Sequence, residues 1–272
     1  MSRIRLPAVA GTFYPADAES LRGVVRDLLA GVGGSISTDV PKAIIAPHAG
    51  YRYSGPIAAS AMALLRPGRE SIRRVILLGT AHSRLEGIAT TSVDKFATPL
   101  GVVPVDRGAL AEVDGLPVLV PHDDAHAADH ALEVQLPFLQ ELLDTFRVVP
   151  LLVGRCRPEA VAEVIDRLWG GRETVLLISS DLSHYLDDES ARRRDRATAD
   201  SILSFDVEQL GPEAACGHRA IAGLLLSARR HGLKAELVDL RNSGDTSGRR
   251  DRVVGYGAFA FRARPLEAGL SG

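Results

Sequence analysis

The chain has 272 residues, 46% of them hydrophobic and 24% charged, with a formal net charge of -2. This composition excludes a disordered or collagen-like chain, and the near-neutral balance leaves no basic footprint for nucleic acid. Its two cysteines, Cys156 and Cys216, are too few for a disulfide framework and suit a reducing compartment.

Taken in chain order, the first twenty residues, MSRIRLPAVAGTFYPADAES, lack the apolar core of a signal peptide. No apolar stretch is long enough to span a bilayer, so a cytoplasmic protein without membrane contact is expected. A helix is expected over 21–29, ending at the Gly-rich stretch GVGGS. Four continuous apolar runs follow along the chain: VPKAIIA (40–46), RRVILLG (73–79), RVVPLLVG (147–154) and TVLLIS (174–179). Runs that do not alternate with polar residues suggest strands covered on both faces. Helices are expected between them. Val161, Val164, Ile165 and Leu168 recur at i, i+3, i+4, i+7, as do Ile221, Leu224, Leu225 and Ala228, with Gly232 placed to stop the second helix. Two further strands, KAELVDL (234–240) and VVGYGAFAF (253–261), are joined by the polar loop RNSGDTSGRRDR and can pair antiparallel. The alternation predicts an α/β fold with a mainly parallel central sheet flanked by helices. No repeat or linker divides the chain, so one domain over 1–272 is expected.

Chemistry is expected where the strands end. IIAPHAGY places His48 just past one strand, ILLGTAHS places His82 past the next, and LLISSDLSHY places Asp181 and His184 past another. Ligands of open α/β sheets bind at the carboxyl ends of the strands, so three imidazoles delivered to one rim can converge. A single histidine after a strand is more often a surface or capping residue; three in the same topological position favour a functional site. Cys216, in PEAACGHRAIAGLLL, falls at an expected helix start. The helix dipole there favours thiolate, the form that binds metals or attacks as a nucleophile, whereas a lone cysteine is commonly just buried. In PHDDAHAADHALEVQLPF, His122 and His126 are expected on the surface, and His130 and Glu133 in or beside the pocket. GVGG (31–34) neither follows a strand nor opens a helix, so it is no dinucleotide fingerprint. The run RRRDR (192–196) is expected to be the solvated face of a helix.

Together, RLPAVAGTFYPADAESL, APHAGYRYSG, LGTAHS, DHALEVQLPF, SSDLSHY, ACGHRAI and NSGDTSG resemble the Memo family, whose prokaryotic members are called AmmeMemoRadiSam system protein B. That family is similar in fold to class III extradiol dioxygenases. The resemblance implies metal ligands at His48, His82 and Cys216, an acid/base histidine at His184 with Asp181 beside it, and pocket aromatics at Phe13 and Tyr53. It also implies iron, with copper or zinc as alternatives, and partnership with a radical S-adenosylmethionine protein and an AMMECR-type protein. Eukaryotic relatives place a basic residue a little beyond the position of His184; HYLDDES has none, which departs from their peptide-binding pattern. Extradiol dioxygenases hold ferrous iron with two histidines and a carboxylate. A thiolate in the third position is softer, so ring cleavage does not carry over with the fold. Three functions compete: a metal-dependent oxidoreductase acting on a small, aromatic substrate; an accessory protein that keeps the pocket for a peptide or metal; and a hydrolase with Cys216 as nucleophile, which leaves His48 and His82 without roles.

Overall fold

A computed structural model describes residues 2–33 and 38–263. The end of the GVGGS stretch and the two chain termini lie outside these residues. The first part of the chain forms β1 (Ile4–Arg5), α1 (Ala18–Ala30), β2 (Ala43–Ala46), α2 (Tyr51–Met62) and β3 (Arg74–Thr80). Next come β4 (Ile88–Thr90), β5 (Lys95–Thr98), β6 (Gly101–Pro104), α3 (Arg107–Val113), β7 (Leu119–Pro121), α4 (Asp123–Ala128) and α5 (Leu136–Leu142). Then follow β8 (Arg147–Val153), α6 (Pro158–Arg167), β9 (Thr174–Ser179), β10 (His184–Leu186) and α7 (Asp188–Ser204). The chain closes with α8 (His218–Arg230), β11 (Leu233–Asn242), α9 (Ser243–Ser247) and β12 (Val253–Ala263).

The four continuous apolar runs become β2, β3, β8 and β9, whose residues are almost entirely buried. They are neighbours in the order β2-β9-β3-β8, all parallel. Around this core, however, the sheet is mixed rather than mainly parallel. β12 runs antiparallel to β2, and β10 and β11 run antiparallel to β12. β4 returns antiparallel to β8, because the connection over 81–87 is too short for the helical crossover that a parallel return requires. A separate three-stranded sheet, β1-β5-β6, holds the N-terminal segment.

Helices form where capping and periodicity coincide. The Asp17 carboxylate accepts the Glu19 N–H at 3.0 Å and so caps α1. Pro158 occupies the first turn of α6, where its missing N–H costs nothing. Gly232, at φ +67°, follows the end of α8. Val161, Val164, Ile165 and Leu168 are fully buried, as are Ile221, Leu224, Leu225 and Ala228. These stripes meet because Gly223 of α8 lets the helices approach: a Cβ there would lie 2.4 Å from Val161. No helix among the described residues is long and apolar enough to cross a membrane.

Two expectations about charged and polar segments fail. In RRRDR the arginines are exposed, but Asp195 is 2% exposed and takes the Ser183 N–H at 3.0 Å. His126, expected at the surface, is buried: α4 packs it against Phe96, and its Nε2–H donates to the Ala89 carbonyl at 3.1 Å. The Ala-rich surroundings that suggested solvation are instead what allows close packing there.

Candidate metal centre and cleft

Register decides where the histidines emerge. Ala46 of β2 and Gly79 of β3 both pair with Ser179 of β9, so the three strands end level. His48, His82 and Asp181 follow those ends within two or three residues and so share one rim. The ring centroids of His48 and His82 are 5.3 Å apart. His130 joins them from the segment before α5, 4.4 Å from His82 and nearly stacked on it. One ring nitrogen from each of His48, His82 and His130 lies within 4.8 Å of the others, close enough to hold a metal ion.

Hydrogen bonds fix which nitrogen of each ring is available. The Ser179 hydroxyl donates to the Ala131 carbonyl at 2.5 Å and accepts from Gln135 Nε2 at 2.8 Å. Its remaining lone pair therefore accepts from His48 Nδ1–H at 3.1 Å. A neutral His48 thus keeps its lone pair on Nε2. His82 is set in the same way, because its Nδ1 faces the Asp129 carboxylate at 3.1 Å and its backbone N–H donates to the other Asp129 oxygen at 2.8 Å. A carboxylate behind the distal nitrogen of a histidine is the usual way proteins orient metal-binding imidazoles.

The charge around these rings favours a cation. Burial alone would depress the basicity of His48, but its neighbours Cys216, Asp181 and Asp129 outweigh burial and raise its pKa to about 10. Burial would also raise the Asp129 pKa, yet its hydrogen bonds and the His82 charge hold it below the usual carboxylate range. His130 shifts the other way: burial, helped by the charges of His48 and His82, lowers its pKa to about 4 and leaves it neutral. Anionic groups that hold a proton so firmly would also satisfy a metal ion in its place.

The expected site residues do not all gather. His48, His82, His130, His184, Phe13 and Tyr53 line one cleft of 1150 Å³, together with Asp181. Cys216 is not among the residues that line the cleft; its Sγ lies 3.3 Å from His48 Nε2. It also sits just ahead of α8 rather than within it, anchored by its N–H on the Asp181 carbonyl at 3.2 Å. The Asp181 carboxylate accepts the backbone N–H of His48 at 2.8 Å, which ties the β9 and β2 rims together. Glu133, expected in or beside the pocket, is fully buried and is not among the residues that line the cleft. It pairs with Arg5, is hydrogen-bonded by the Tyr14 hydroxyl, and accepts the N–H groups of Ala8 at 2.7 Å and Val9 at 3.1 Å. The cause is the N-terminal segment, which crosses this face and needs a buried acceptor.

Sequence reasoning missed Asp129, Ser179 and Gln135, the residues that orient the rings. Asp129 adjoins His130, but its bond to His82 spans 47 positions in sequence and appears only once the chain is folded.

Comparison with known proteins agrees with the sequence motifs. A family profile described as Memo-like protein matches residues 5–260. A MEMO1 family protein of Archaeoglobus fulgidus is 37% identical over 95% of this chain and 100% of its own length. A second, from Aquifex aeolicus, is 37% identical over 95% of this chain and 99% of its own. A third, from Nitrosopumilus maritimus, is 33% identical over the same shares. With the motifs, the paired histidines and near full-length matches in agreement, the chain belongs to the Memo family.

Proposed function

We propose that this protein binds one transition-metal ion through Nε2 of His48 and Nε2 of His82, with Cys216 as third ligand, and acts as a metal-dependent oxidoreductase on a small aromatic substrate. The observation that carries the proposal is the pair of imidazoles whose Nδ1 atoms are already tied to Ser179 and Asp129, which leaves Nε2 of each as the ligand atom, that of His48 facing Cys216 Sγ. The donor types fit: Cys216 Sγ lies 3.3 Å from His48 Nε2, while the ring nitrogens that converge within 4.8 Å of one another are those of His48, His82 and His130. Imidazole with thiolate suits iron, copper(I) or zinc better than magnesium or calcium.

A bound redox metal would supply electron transfer and activation of dioxygen. The chain's own residues would do the rest. His184, exposed on the cleft wall, would move a proton to or from substrate. Phe13 and Tyr53 would pack against a flat substrate. Asp181 would hold the His48 backbone in place. The family resemblance adds a radical S-adenosylmethionine protein and an AMMECR-type protein as proposed partners.

One observation favours a second ligand set. His130 converges with the other two rings and stays neutral, so three histidines could bind the ion with Cys216 alongside. Metal content and thiol alkylation, measured on Cys216→Ser and His130→Ala, separate the two. If Cys216 is the ligand, Cys216→Ser loses the metal, His130→Ala keeps it, and metal protects the wild-type thiol until a chelator is added. The reverse pattern assigns the three-histidine set. A Cys216→Ser protein that binds metal as well as wild type would remove Cys216 from the site.

A further inference from the structure

One buried carboxylate plays no part in the metal centre. Asp195, in α7, is 2% exposed, although Arg194 and Arg196 on either side of it are exposed. Nearby arginines of the same helix are engaged elsewhere: Arg192 pairs with Asp188 at 3.0 Å, and Arg193 with Glu189. Burial raises the Asp195 pKa against the pull of its hydrogen bond from Ser183, so the charge is held there at a cost. What the carboxylate does is accept the Ser183 N–H at 3.0 Å. Ser183 is the residue before His184.

Ser183 is fixed from two sides. Its N–H goes to Asp195 of α7, and its carbonyl accepts the Gly255 N–H of β12 at 2.8 Å. The Leu182 N–H donates in return to the Gly255 carbonyl at 2.8 Å. Gly255 has to be glycine here, because a Cβ would lie 1.9 Å from Asp195 Oδ2. Beyond Ser183 the strand is bulged. His184 pairs with Val254 and Leu186 with Val253, so Tyr185 is the extra residue, at φ +62°. Neighbouring residues of a regular strand point to opposite faces, yet His184 and Tyr185 both line the cleft. A strand of three residues does not hold such a bulge alone, and a tyrosine keeps a left-handed backbone only where its surroundings fix it. The anchored Ser183 backbone supplies that support.

We infer that Asp195, admitted by Gly255, is the positioning residue for His184: it fixes the Ser183 backbone so that the bulge aims the imidazole into the cleft. The use of that imidazole rests on the proposed proton-moving role of His184; its support does not. The test is a nuclear magnetic resonance spectrum of the full chain with isotope-labelled histidine rings, supplied with zinc, which is diamagnetic. His184→Gln assigns the His184 signal by removing it. Asp195→Ala should shift that signal, while those of His126 and His231, held by the Ala89 carbonyl and by Asp166, stay in place. Asp195→Asn keeps an acceptor of the same shape for the Ser183 N–H and should restore the wild-type position. Gly255→Ala, which displaces the carboxylate instead of removing it, should shift the same signal and serves as the test if Asp195→Ala does not fold. A merely stabilising Asp195 would lower the unfolding temperature and leave the His184 signal unmoved in the folded protein. That result, or an Asn variant no closer to wild type than the Ala variant, would overturn the assignment. A shifted His184 signal supports it whatever turnover His184→Gln retains, because turnover tests the proton role and the signal tests the support.

Discussion

Replacing Asp129 by Asn tests how the metal-binding rings are set. The Asp129 carboxylate accepts three hydrogen bonds: the His82 ring at 3.1 Å, the His82 backbone N–H at 2.8 Å, and the Ala131 N–H at 2.9 Å. Asparagine keeps one acceptor oxygen. If that oxygen faces the ring and Ala131, the new NH₂ opposes the His82 backbone N–H; if it is flipped, the ring and Ala131 lose their acceptor. Either way at least one donor loses its acceptor; where that donor is the buried Ala131 N–H, the cost is about 1–3 kcal/mol in folding stability. The ring also loses the carboxylate that strengthens Nε2 as a ligand. Removal of such partners typically weakens metal binding by about 10–100-fold, or about 1.4–2.7 kcal/mol. Competition titration against a chelating dye reads the affinity, and urea unfolding of the metal-free protein reads the stability. A variant that loses stability yet keeps wild-type metal affinity would show that the orientation of His82 by Asp129 does not matter for binding.

Three further outcomes follow from the packing. Burial lowers the His126 pKa to about 4, only partly offset by the Ala89 carbonyl, so the unfolded chain takes up the proton first as pH falls. The contribution is full above about pH 6.5 and lost towards about pH 4, amounting to about 3 kcal/mol; urea midpoints at pH 7.5 and 4.5 measure it, and His126→Gln should shrink the difference. Glu133→Gln should cost about 3–5 kcal/mol, because it leaves the buried Arg5 guanidinium without its anion; thermal unfolding that matched wild type would contradict that pairing. Gly223→Ala should cost about 1–3 kcal/mol by overpacking α6 against α8, a loss readable by chemical denaturation.

The central sheet was legible because β2, β3, β8 and β9 are buried on both faces, and burial on both faces writes itself as an unbroken apolar run. The edges were not. β4, β7 and β10 are each three residues long, too short to carry a period, and their pairing depends on partners distant in sequence. The placement of His48 and His82 at one rim was legible for a topological reason: residues just past parallel strands emerge together. Cys216 was harder, because its distance from His48 depends on how the irregular segment between α7 and α8 folds back onto Asp181, which no periodicity encodes. The partner of Glu133 was not legible either, because only the fold shows Arg5 arriving from the N-terminal strand, 128 positions away.

Metal stoichiometry of protein purified without oxygen tests the central claim most directly. Elemental analysis of the wild type should find close to one redox-active transition metal per chain, and His48→Ala and His82→Ala should each lose it while His184→Ala retains it. Wild-type protein that binds no transition metal even when supplied with ferrous iron, copper(I) or zinc, or His48→Ala and His82→Ala proteins that bind as much metal as wild type, would contradict the metal centre.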